Sequence, residues 1–154
     1  MKLLRFALAA AALAGLLALA APAVAATTVT YHATFVEIGS GGPAAGVSCG
    51  SATISSLGHV ANECIVFNAC GPNCHVRTIT FGDGSTLIIR ESIVGMISPG
   101  NSSAAGVNAP LFLKITQTIV GGTGRFAGAT GSGSGTVNTV AGSVIIASGT
   151  ITLP

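Results

Sequence analysis

Three groups of residues in this chain of 154 residues have types and spacings that could do chemistry. The first lies in IVGGTGRFAGATGSGSG, from Ile119 to Gly135. There Gly122-Thr123-Gly124-Arg125-Phe126-Ala127 satisfies G-x-G-x-x-G/A, the turn whose glycines let a backbone cradle a pyrophosphate. The second is a pair of acidic residues on apolar runs, Glu37 and Glu91. A carboxyl desolvated on such a run would have a raised pKa and could act as an acid or a base. The third is Cys64, Cys70, Cys74 and His75, all metal-ligating types, in C-x5-C-x3-C-H spacing.

Each chemistry needs elements to hold it. A dinucleotide turn needs a βαβ unit, a helix opening at the motif, and an acidic residue about twenty residues on. The residues after Ala127, GATGSGSGTVNTVAG, are too rich in Gly, Ser and Thr for a helix, and no Asp or Glu follows Glu91. No Gly-Lys-Ser/Thr follows either, so a Walker A loop is excluded and no cofactor is expected. The segment is read as structural instead. Gly121, Gly122 and Gly124 are expected to supply positive φ, with Thr123 in the same turn. Gly128 and Gly131 are expected to allow close backbone approach, and Phe126 to plug one end of a core. Arg125 is expected to cap loop carbonyls or stay solvated.

The cysteines are read through the compartment. Lys2 and Arg5, the apolar run Phe6–Ala21, and Ala23-Val24-Ala25 have the form of a secretory signal cleaved after Ala25. Residues 1–25 are thus expected to be removed, and 26–154 to form one domain. The apolar run is shorter than the roughly 20 residues a spanning helix needs, so no membrane anchor is expected after cleavage. The protein is expected to be secreted, or periplasmic if the host has an outer membrane. In that setting four cysteines make two disulfides, and the spacing lacks the tight knuckle of a zinc site, so no metal is expected.

After cleavage Arg77, Arg90, Lys114 and Arg125 balance Glu37, Glu63, Asp83 and Glu91. Nucleic-acid binding needs clustered Lys and Arg, so that partner class is set aside.

The rest of the chain shows period-two alternation broken by Gly, Pro, Asn and Asp. Strands are expected near Thr28–Ile38, Val47–Ser55, His59–Phe67, His75–Thr80, Thr86–Gly95, Leu111–Val120, Gly133–Val140 and Ser143–Thr152. Gly82-Asp83-Gly84 marks a hairpin, and Ser98–Pro110 the longest loop. A second hairpin around Ser55–Gly58 sets Cys49 nearly opposite Cys64, which predicts the pairs Cys49–Cys64 and Cys70–Cys74.

Strand parity then aims the candidates. Glu37 shares a face with Val29, Tyr31, Ala33 and Phe35, and is either an interior carboxylate, a solvated rim residue or the partner of an arginine. Glu91 shares parity with Leu87, Ile89 and Ile93, and is either interior or paired with Arg77 or Lys114. Gln117 falls with Leu113, Ile115 and Ile119, where it could bond a ligand or serve structure. Tyr31, Phe35 and Gln117 are the candidate ligand-binding residues. His32, His59 and His75 are read as surface residues.

GGTGRFAGATG after a β-strand resembles the signature of the allene oxide cyclase barrel-like superfamily. That family includes plant dirigent proteins, allene oxide cyclases and secreted bacterial proteins. GSATISSLGHV, TITFGDGSTLIIRES and AGSVIIASGTITL resemble further segments of it in order. The resemblance spans roughly Thr28 to Leu153. It implies an all-β, eight-stranded antiparallel closed barrel in a secreted bacterial member, a fold often trimeric in the plant members, and an acidic residue at the position of Glu37; a homo-oligomer, dimer or trimer, stays open as a partner.

Three functions stay open. A non-catalytic barrel that binds a small apolar ligand, or serves as an extracellular module, should have an interior without converging ionisable groups. A dirigent- or cyclase-like enzyme should set Glu37 and a second polar residue on one open cavity. A self-associating surface protein would use Ser98–Pro110 or a barrel face.

Overall fold

The computed structural model describes residues 25–38, 46–97, 112–139 and 143–154. Residues 1–24 of the expected signal peptide and the Ser98–Pro110 loop fall outside the described residues. The chain forms eight strands: β1 (Thr27–Glu37), β2 (Val47–Ile54), β3 (Val60–Val66), β4 (Cys74–Phe81), β5 (Thr86–Ile97), β6 (Phe112–Gly122), β7 (Thr130–Asn138) and β8 (Val144–Leu153). Consecutive strands pair antiparallel, and β8 closes on β1 from Thr27↔Leu153 to Val36↔Val144. The architecture is a closed eight-stranded antiparallel barrel. Closure pairs every strand on both sides, so no edge is left as a template for another chain.

The expected strands are all present, and the main boundary shift is at β7. It starts at Thr130, not Gly133. Its inward positions are Gly131, Gly133 and Gly135, of which Gly131 lies before the expected start of the strand. They are strand because side chains from other strands fill the space: a Cβ on Gly133 would lie 2.3 Å from the Tyr31 hydroxyl. Two glycine roles in the motif are exchanged. Gly122 needs no positive φ, but its Cβ would meet the Thr86 carbonyl oxygen at 1.9 Å; Gly128, expected to serve close approach, has φ +77 instead.

The ends of the barrel differ. The β2–β3, β4–β5 and β6–β7 turns close one end, where a short 3-10 turn (Gly124–Phe126) drives Phe126 into the core against Phe81, with ring centroids 4.7 Å apart. Arg125 clips this end together: Nη2 donates to the Leu57 carbonyl at 2.6 Å, and the guanidinium lies 4.8 Å from each ring. Phe126 is the expected plug, and Arg125 caps a loop carbonyl as expected.

Both disulfides form as expected. Cys49 sits directly opposite Cys64 across β2 and β3, and Cys70–Cys74 clasps the β3–β4 connection. With their sulfurs paired, the cysteines are not zinc ligands. Two disulfides are what an oxidising compartment, extracellular or periplasmic, yields. Cys49–Cys64 spans 15 residues, so replacing both by alanine is expected to lower the urea-derived stability by about 3 kcal/mol. The Cys70–Cys74 pair spans 4 residues, and the same change there should cost less.

Candidate functional site

Alternation along β4 points His75, Arg77, Ile79 and Phe81 to the same side, and that side is the barrel interior. Arg77 is fully buried there. A guanidinium has five donors and cannot shed its charge, so burial demands acceptors on every side. Three strands supply them. Arg77 Nε and Nη2 grip the two oxygens of Glu91 (β5) at 3.0 and 3.1 Å. Nη2 also donates to Glu37 (β1) at 2.8 Å, and Nη1 donates to Glu63 (β3). The guanidinium lies 4.3 Å from the Phe35 ring centroid, a cation–π contact that supports it from β1. The network continues inward: Gln117 Nε2 donates to Glu91 at 2.7 Å, and the Tyr31 hydroxyl donates to Gln117 at 2.7 Å.

Above this cluster, at the end opposite the Phe126 plug, lies a cavity of about 460 Å³. Its walls are mainly apolar, from Ile65, Phe67, Ile93, Leu113, Ile115, Val137 and Ile145. Glu37, Arg77 and Glu91 line it as the polar part, with Ser48, His75, Thr139 and Ser143.

The electrostatics follow from burial and charge count. Three carboxylates face one guanidinium, an excess of two negative charges when all are ionised. Glu63 is the most deeply buried of the three, and its Oε1 has no hydrogen-bond partner. Burial pushes its carboxyl up to about 7; Arg77 pulls it back in part, and Glu37 and Glu91 raise it. Burial and the Glu91 charge push the Tyr31 hydroxyl up to about 12. His75 is half-buried at the cavity wall, edge-on to Phe67, and burial lowers its pKa; its Nδ1 accepts from the Asn68 amide at 3.0 Å.

The two sequence-predicted carboxylates thus converge on one cavity, each paired with Arg77. Glu91 takes Arg77 rather than Lys114, which is exposed on the outer face. Tyr31, Phe35 and Gln117 are buried beneath the cavity and brace the cluster from below. His32 and His59 are exposed as expected, but His75 is not a surface residue. Its strand opens right after the Cys70–Cys74 clasp, and the inward parity of Arg77 turns it to the cavity. The interior free of converging ionisable groups, expected of a non-catalytic barrel, is not found.

Sequence reasoning missed Glu63 and gave Arg77 no central place. The parity signal existed for both, since Arg77 alternates with Ile79 and Glu63 with Ile65. For Glu63 a register shift between Val60 and Asn62 obscured it. Among the described residues, no group of three or more His, Cys, Asp or Glu could hold a metal ion. Comparison with protein-family models, curated proteins and solved structures gives no match.

Proposed function

We propose that the protein is a secreted barrel that binds a small, largely apolar molecule in the cavity opposite the Phe126 plug. The observation that carries this reading is the cavity itself. Its volume of about 460 Å³ lies within the range of roughly 300–1,000 Å³ typical of small-molecule sites, and a few polar groups sit at the base of apolar walls. Both carboxylates that line it are already engaged by Arg77, Glu91 through both oxygens. That engagement favours binding over proton transfer.

The test is a titration of the oxidised protein with N-phenyl-1-naphthylamine, a neutral apolar dye that fluoresces when desolvated. One saturable site is expected. Val137→Trp, which fills the cavity from β7, should remove the signal while leaving the far-UV circular dichroism unchanged. Dye binding that survives the substitution would place the site elsewhere and defeat this reading.

A second reading has one observation in its favour: Glu37, Glu91 and Arg77 meet at a single open cavity, as a dirigent- or cyclase-like enzyme would require. The family resemblance supports it further. For that reading Glu37→Gln should abolish turnover of a substrate that the native protein converts; full retained activity would remove Glu37 from the chemistry.

A further inference from the structure

We infer that the molecule bound in this cavity carries a positive charge: a small, mainly apolar amine whose ammonium group rests against Glu37 and Glu91. This rests on the binding reading above and names the ligand class. The first ground is the charge count. Among the described residues Arg77 is the one Arg or Lys inside the barrel, since Arg90, Lys114 and Arg125 are exposed on its outside. It faces the carboxylates of Glu37, Glu63 and Glu91, and His75 at the wall is biased by burial toward its neutral form. The interior is therefore anionic whether or not one of the three carboxyls holds a proton.

The second ground is the hydrogen-bond inventory. Three carboxylates offer about twelve acceptor positions. The cluster supplies them with four bonds from Arg77 and one from Gln117. Glu37 and Glu91, the two carboxylates that line the cavity, receive four of these bonds against about eight acceptor positions. At the base of the cavity, where the Glu37 and Glu91 acceptors outnumber the donors that reach them and negative charge is in excess, the match is a group with three donors and a positive charge. A primary ammonium is that group. A carboxylate ligand would add like charge in a place of low dielectric, and an alcohol would bring one donor without the charge.

The experiment compares three probes on one skeleton by isothermal titration calorimetry: 4-phenylbutylamine, 4-phenylbutanol and 4-phenylbutanoate. It uses the oxidised protein at about pH 8, where an alkylamine is still protonated. The amine is expected to bind about ten-fold or more tightly than the alcohol, the margin of one charge-assisted hydrogen bond, with the carboxylate weakest. Equal affinity of amine and alcohol overturns the charge assignment and leaves ligand binding intact. Tightest binding of the carboxylate does the same. Failure of all three probes while N-phenyl-1-naphthylamine still binds defeats the amine alone; failure of the dye as well defeats both readings. In Glu37→Gln the amine should lose affinity and the alcohol should not. An equal loss for both would show a role in shape only and overturn the assignment.

Discussion

Arg77→Met is expected to destabilise the barrel by about 3–5 kcal/mol at neutral pH, the loss typical when one partner is removed from a buried ion pair. Methionine keeps much of the apolar stem but leaves Glu37, Glu63 and Glu91 facing one another without a cation. The carboxyls can then escape only by taking up protons. The same variant should therefore recover much of its stability on acidification to about pH 4, near the ordinary carboxyl range. Urea unfolding of both proteins at the two pH values measures it. A loss below about 1 kcal/mol at neutral pH, the level of an exposed pair, would show that the cluster is solvated and not the buried network described. Combining Arg77→Met with Glu37→Gln, Glu63→Gln and Glu91→Gln removes charge on both sides. That variant should be more stable than Arg77→Met alone, because a buried network replaced whole is often close to neutral.

The part of the native protein's stability that depends on Glu63 should fall as pH rises from about 4.5 to about 7, while His75, whose pKa burial lowers, works in the opposite direction below about 6.5. The Glu63 carboxyl moves from an ordinary 4.5 to about 7 on folding, mainly through burial. Between those values the folded chain holds a proton that the unfolded chain has lost, so each step upward in pH favours unfolding. The contribution is fully present below the unfolded value and gone above the folded one. From 4.5 to about 7 it amounts to on the order of 3 kcal/mol. Urea midpoints at several pH values between 4 and 8 read it directly. Glu63→Gln, neutral at every pH and close in shape, should remove this part of the slope and be more stable than the native protein at pH 8. If the two proteins show the same slope, another group carries the proton. Arg77 holds the Glu63 value down, so in Arg77→Met the same transition should move to higher pH.

Most of the barrel was legible from local chemistry. Alternation in TVTYHATFVE and STLIIRES, and turn residues at Ser55–Gly58 and Gly82–Gly84, depend on near neighbours, and they placed strands and register well enough to pair Cys49 with Cys64. The plug was legible too, since Phe126 is the one large apolar side chain in its loop. Two things were not. One is the start of β7 at Thr130–Ser132, because this Gly- and Ser-rich stretch has little strand propensity of its own; Ile119 fills the volume left at Gly131, as Tyr31 and Gln117 do at Gly133. The polar cluster joins residues from β1, β3, β4, β5 and β6, and no single stretch of sequence carries that meeting. Parity could place Glu37 and Glu91 inside, but only the closed barrel shows that one arginine serves three acids.

The asymmetry of the two ends sets how the cavity can exchange its contents. Phe126, Phe81 and Arg125 seal the floor, so the barrel is a cup and not a tube. A newcomer cannot push an occupant out through the far side. Replacement must wait for the resident molecule to leave on the side away from Phe126. An ammonium group destined for the base must pass the apolar walls first, losing its water before it meets Glu37 and Glu91. Exchange in such a vessel runs at the rate of departure alone, and adding more competitor would not hasten it.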